Sequence, residues 1–214
     1  MEKQEILKGT MGKLDPGGRG TTSVKFKSDL IDYFIDKNLN SVLELGTWGG
    51  HTTRILSYLF KKVITVDIPD EFERRILGPG NAADINKDRD NITYTPLDLY
   101  RDNWNFEQQD VVFIDAQHTY DTCELDVSNS LKLLSVGGYL VFDDLSNPMD
   151  NYGVRRVVNH YIDRGVLVAD SFIGEEDTSD FFTHNTTVQQ LDGTPEGIIC
   201  KVLHKNGVNN GIIT

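Results

Sequence analysis

Acidic residues and one histidine gather behind two apolar runs. Val111-Val112-Phe113-Ile114 is followed at once by Asp115, with His118 three residues on, and Tyr139-Leu140-Val141-Phe142 is followed by Asp143 and Asp144. In an open parallel sheet, an acid that begins where an apolar strand ends lies at the carboxyl edge, where ligand crevices form. If the two runs are neighbouring strands, Asp115, Asp143 and Asp144 meet at that edge. Such carboxylates repel one another unless protons or a cation intervene, and a hard divalent ion such as Mg²⁺, held by oxygen ligands, answers the repulsion economically. An ion there would bind an acceptor hydroxyl and ease its deprotonation, with His118 as the general base. The plainer roles are helix caps for the aspartates and a packing or wall role for His118.

A second constellation precedes the first. Val42-Leu43-Glu44-Leu45-Gly46-Thr47-Trp48-Gly49-Gly50-His51-Thr52-Thr53 reads as a strand, a glycine turn and the start of a helix. Glycine lets backbone approach a ligand closely, so Gly46 and Gly50 mark a cofactor loop. Neither GxxxxGK[ST] nor GxGxxG is present, and Glu44 directly before the loop would repel a pyrophosphate while attracting the ammonium of a methionine-like cofactor. Val63-Ile64-Thr65-Val66 then ends in Asp67, about twenty residues after the loop, where nucleotide-binding α/β folds hold ribose hydroxyls. Asp98 is the candidate for the adenine region, with a surface role as its alternative.

The stretch from Glu44 to Thr52 resembles the first motif of class I S-adenosylmethionine-dependent methyltransferases, and within them the small-molecule O-methyltransferases similar to catechol O-methyltransferase. The likeness spans roughly 40–144. It implies a Rossmann-like, doubly wound α/β fold with a mostly parallel seven-stranded sheet, and S-adenosylmethionine held by Glu44, Gly46, Thr47, Trp48, Gly50, Thr52, Asp67, Asp98 and Asp115. It also implies metal binding by Asp115 and by the pair Asp143 and Asp144. Where the catechol enzymes carry a lysine base, this chain has His118. The pattern Ile114-Asp115-x-x-His118-x-Tyr120 is similar to sugar- and antibiotic-modifying relatives, so the expected acceptor is a hydroxyl of a small molecule or sugar.

The elements that must position these residues are legible as periodicities. Ser41 to Leu45, Val63 to Val66, Val111 to Ile114 and Tyr139 to Phe142 are apolar on consecutive positions, as expected of central parallel strands covered on both faces. Helical spacing links Leu30, Ile31, Phe34 and Ile35 within 28–37. It also links Ile55, Leu56, Leu59 and Phe60, then Val127, Leu131 and Leu134, then Val154, Val157, Val158 and Tyr161. Val166 to Phe172 is a further strand candidate. Thr186 to Leu191 and Gly197 to Leu203, joined by Asp192-Gly193-Thr194-Pro195, suggest a C-terminal antiparallel hairpin. The segment from Asp70 to Asn91 reads as a short helix plus loop.

One methyltransferase domain over 28–206 is therefore expected. Before it, 1–27 forms a loop or lid in which Arg19 and Lys25 shape substrate entry, and 207–214 forms a tail. The net charge of -12 disfavours nucleic acid and anionic membranes as partners. Cys123 and Cys200 form neither a CxxC pair nor a disulfide framework, which fits a cytoplasmic protein. Met1 to Lys13 lacks the apolar core of a signal peptide and no stretch is long enough to span a bilayer. Whether copies of the chain associate into a homo-oligomer is left open. A cofactor-binding or structural protein without turnover is the alternative from another class, and the retained Asp115, Asp143, Asp144 and His118 argue against it.

Overall fold

The structure, a computed structural model, describes residues 3–6, 22–146, 153–176 and 195–204. Seven strands form one sheet: β1 (Ser41–Leu45), β2 (Lys62–Asp67), β3 (Ile92–Pro96), β4 (Gln109–Ile114), β5 (Leu134–Phe142), β6 (Leu167–Glu176) and β7 (Pro195–Val202), in the order β3-β2-β1-β4-β5-β7-β6. The pairings among β1 to β5 are parallel, while β7 runs antiparallel to both β5 and β6. Succession along the chain moves one way from β1 through β2 to β3 and the other way from β4 to β5. The strand order therefore reverses between β1 and β4, the place where open α/β sheets hold ligands.

The consecutive apolar positions are explained by two packed faces. Leu43, Leu45, Val112, Ile114, Leu140 and Phe142 meet the helices α5 (Tyr120–Leu133) and α6 (Val154–Asp163). Val42, Val63, Val111, Phe113 and Val141 meet α1 (Val24–Phe34) and α2 (His51–Leu59). β1, β2, β4 and β5 feed both cores, so none of these four shows the polar alternation of a sheet with one wet face. Three short helical pieces, α3 (Pro69–Phe72), a π-helical turn (Glu73–Leu77) and α4 (Ala82–Ile85), occupy the weakly patterned segment.

Three expectations shift. The first helix begins at Val24 rather than Ser28, because Ser23 caps it by accepting from the Phe26 N–H at 2.9 Å and because Phe26 and Lys27 are buried. Residues 22–27 therefore belong to the domain, and Ile6, in a helical turn at residues 3–6, is buried in the same core. The hairpin partner of β7 is β6, which lengthens the strand expected from Val166 to Phe172; the run from Thr186 to Leu191 lies outside the described residues. So do the glycine-rich stretch 15–20, with Arg19, and the tail 207–214. Among the described residues no helix is long and apolar enough to cross a membrane.

Candidate active site

The glycine loop opens where β1 ends. Gly46 has φ +95° and donates its N–H to the Val66 carbonyl at 3.0 Å, while the Asp115 N–H donates to the Leu45 carbonyl at 3.0 Å. A Cβ at Gly46 would lie 2.0 Å from the Asp115 carbonyl oxygen, so the tips of β1 and β4 can come this close only around a glycine. Gly50, with φ +72°, starts α2, and a Cβ there would lie 2.6 Å from that of Ala82. The result is a groove whose lining includes Thr22, Gly46, Thr47, Trp48, Thr52 and Asp115. Trp48 is 55 % exposed at its wall, and the Arg75 guanidinium lies 4.7 Å from its ring centroid.

Two acids support this loop from below and from its side. Glu44 is fully buried; its Oε2 accepts from the Thr53 hydroxyl at 2.6 Å and the Thr65 hydroxyl at 2.5 Å, and its Oε1 has no hydrogen-bond partner. Burial pushes its carboxyl up to about 7 against the pull of the two hydroxyls. Asp67 accepts from the Ile68 N–H at 2.8 Å and the Trp48 N–H at 3.0 Å, so the end of β2 fixes the tip of the loop. Asp98 is not among the groove residues. It accepts from the Tyr100 N–H at 3.0 Å and faces Arg101 at 3.6 Å, holding the turn after β3.

Next to the groove, one ligand atom each of Asp115, His118 and Asp144 lies within 4.8 Å of the others, close enough for a shared ion. His118 Nδ1 is 3.1 Å from Asp144 Oδ2. The His118 carbonyl accepts from the Gly153 N–H at 2.6 Å, and a Cβ on Gly153 would sit 2.2 Å from the Tyr120 Cα, so the start of α6 is pressed onto the loop that carries His118. Asp115 and Asp143 are both held well above the usual carboxylate range, first by burial and then by the neighbouring acids.

Sequence reasoning put Asp143 among the metal acids, whereas the group at ligand distance contains His118 in its place. Asp143 is 8 % exposed, and the backbone N–H of Asp144 donates to its carboxylate. Lys25 is an exposed residue of α1 that pairs with Asp29 at 2.5 Å. His184 to Thr187 lie outside the described residues. Sequence reasoning missed Thr22, Lys27 and Glu196. Ser23 donates to Glu196 from its N–H at 2.7 Å and its hydroxyl at 2.5 Å, which brings the start of α1 to the site. No local pattern announces that contact, since it joins positions far apart in the chain.

Comparison with known proteins bears on the fold. Residues 43–145 match the model of a methyltransferase-domain family. That methyltransferase-like stretch holds Glu44, the glycine loop, Asp67, Asp115, His118, Asp143 and Asp144. No curated protein matches the sequence. Among solved structures, the chain is similar to the O-methyltransferase TomG of Streptomyces achromogenes, involved in tomaymycin synthesis and crystallised with S-adenosylmethionine: 18 % identity, 95 % of this chain and 92 % of that one, TM-score 0.61. It is similar to an O-methyltransferase of Bacillus cereus in complex with S-adenosylhomocysteine, at 18 % identity, 94 % and 90 % coverage and TM-score 0.59. It is also similar to the N-methyltransferase NodS of Bradyrhizobium japonicum, at 17 % identity, 83 % and 94 % coverage and TM-score 0.55. The fold is thus the seven-stranded α/β methyltransferase fold, shared by enzymes whose acceptor atoms differ.

Proposed function

We propose that the protein transfers a methyl group from S-adenosylmethionine to a hydroxyl oxygen of a small molecule or sugar, assisted by a hard divalent ion such as Mg²⁺. The observation that carries this reading is the double position of Asp115. Its residue lines the glycine groove, and its carboxyl belongs to the group with His118 and Asp144. A donor in the groove and an acceptor at the cluster would then be neighbours.

The residues fit the cofactor. The loop leaves no room for side chains at Gly46 and Gly50, and Glu44 keeps an unpartnered oxygen beneath it. Asp67, at the end of β2, has each oxygen engaged by one backbone N–H and retains lone pairs for ribose hydroxyls. Bound there, S-adenosylmethionine supplies an electrophilic methyl group for in-line displacement. Positioning then contributes much of the rate.

Asp115 and Asp144 offer the oxygen atoms that a hard cation prefers, and such a cation supplies Lewis acidity toward an acceptor hydroxyl. Asp144 faces His118 Nδ1 at 3.1 Å, and the imidazole so held is the group we assign as the proton acceptor. An oxygen acceptor is favoured over an amine because a hard cation held by these carboxylates prefers oxygen ligands.

The test is transfer of labelled methyl from S-adenosylmethionine to a panel of catechols, polyphenols and glycosides, with and without chelator. The reading expects metal-dependent methylation of hydroxyl acceptors. Methylation of amines alone, unaffected by chelation, would overturn it.

A further inference from the structure

The backbone that carries Asp115 and His118 is pinned at several points. The Asp115 N–H donates to the Leu45 carbonyl at 3.0 Å, and the His118 carbonyl accepts from the Gly153 N–H at 2.6 Å. Between them, the Gln117 carbonyl accepts from the Thr122 hydroxyl at 3.2 Å, and the Gln117 N–H donates to the Tyr100 hydroxyl at 3.2 Å. The last contact differs in kind. The others join the loop to the neighbouring strand or to the helices that follow it, whereas Tyr100 reaches it from the segment between β3 and β4.

Tyr100 is itself held at both ends. Its N–H donates to Asp98 at 3.0 Å, so the acid expected at the adenine instead fixes the turn that presents Tyr100. Its hydroxyl donates to Asp126 Oδ2 at 3.3 Å. Asp126 is fully buried and its Oδ1 has no hydrogen-bond partner, an arrangement that costs stability, because a buried polar group is expensive unless its hydrogen-bonding capacity is met. The tyrosine hydroxyl gives this acid a use. A phenol has one proton, and with that proton committed to Asp126 the oxygen is left to accept, which is what the Gln117 N–H requires.

We propose that Tyr100 is a positioning residue of the active site: by joining Asp126 to the Gln117 N–H, it fixes the loop that sets Asp115 and His118 against Asp144. The proposal rests on the roles given above to Asp115 and His118, and its test separates the two.

Tyr100→Phe keeps the ring and removes both hydrogen bonds. In amide hydrogen exchange followed by NMR on the full chain, the Gln117 N–H of this variant is expected to speed up at least about fivefold more than the amides of Val112 and Leu140 in the core of the sheet. A hydroxyl that served only overall stability would speed all three alike. On a hydroxyl acceptor found with labelled S-adenosylmethionine, kcat should fall by about tenfold while S-adenosylhomocysteine affinity stays within about twofold. A Gln117 amide that speeds up no more than the sheet core would overturn the proposal, as would an unchanged kcat or a loss confined to KM. Asp126→Leu, which removes the acceptor that orients the hydroxyl, should act in the same direction, and it decides the matter if Tyr100→Phe does not fold. If the unaltered chain methylates no hydroxyl acceptor, the functional reading fails, and the hold of Tyr100 on the loop is then decided by the exchange rates alone.

Discussion

His118 Nδ1 lies 3.1 Å from Asp144 Oδ2, and Asp144 holds a left-handed backbone at φ 57° to place that oxygen. Aspartate and asparagine enter this region more readily than most residues, so Asp144→Asn keeps the backbone while removing the charge that orients the imidazole.

On an identified acceptor, His118→Ala is expected to lower kcat by about a hundredfold or more with cofactor affinity nearly intact, and Asp144→Asn to lower it in the same direction. Turnover and cofactor binding, measured side by side, check this. If His118→Ala turned over like the unaltered chain, His118 would be a wall residue.

Gly46 and Gly80 form a controlled pair, because both have positive φ but only Gly46 is crowded. Gly80→Ala should cost about 1 kcal/mol, the left-handed penalty alone. Gly46→Ala should cost more than about 3 kcal/mol, or part the tips of β1 and β4, since its Cβ would meet Asp115 backbone at 2.0 Å. Chemical denaturation of both variants measures the difference. Equal costs would mean that the loop and the Asp115 strand are not tightly apposed.

Asp126 supplies a pH test away from the site. It is fully buried on α5, its Oδ2 accepts from the Tyr100 hydroxyl at 3.3 Å, and its Oδ1 has no hydrogen-bond partner. Burial raises its carboxyl to about 7 from 3.8. The folded state therefore binds this proton more tightly than the unfolded chain, a stabilisation fully present below 3.8 and lost as pH rises through about 7. Asp126→Asn stays neutral, so its stability relative to the unaltered chain should grow from about pH 4 to about pH 7, by up to about 4 kcal/mol, and then level off. Unfolding curves that stay parallel across that range would contradict it.

Chelation is expected to abolish methyl transfer and added Mg²⁺ to restore it, because Asp115 and Asp144 bring carboxylate oxygens to ligand distance beside the groove. Activity that survives exhaustive chelation would give the cluster a structural role and leave deprotonation to His118.

Much of this was legible because it is local. Consecutive apolar positions in β1, β2, β4 and β5 reflect two covered faces, and the acids at 67, 115, 143 and 144 follow strand ends directly. The start of α1 was misread because Ser23 and Lys27 take part through contacts to β7 and to the Thr22 carbonyl, which periodicity does not carry. Asp143 and Asp144 are adjacent and chemically identical, so sequence could not say which of them faces His118. Asp98 stands two residues past the end of β3, which lies at the sheet edge, away from the reversal between β1 and β4. The antiparallel C-terminal pairing was anticipated, although the run expected at 186–191 lies outside the described residues and the described partners of β7 are β5 and β6.

The central claim is that the groove around Gly46 binds S-adenosylmethionine, and calorimetric titration of S-adenosylhomocysteine into the full chain tests it most directly. The account predicts saturable binding at one site per chain, weakened by at least about tenfold in folded Asp67→Ala. A folded chain that takes up no S-adenosylhomocysteine, or an Asp67→Ala variant that binds it unchanged, would contradict the account.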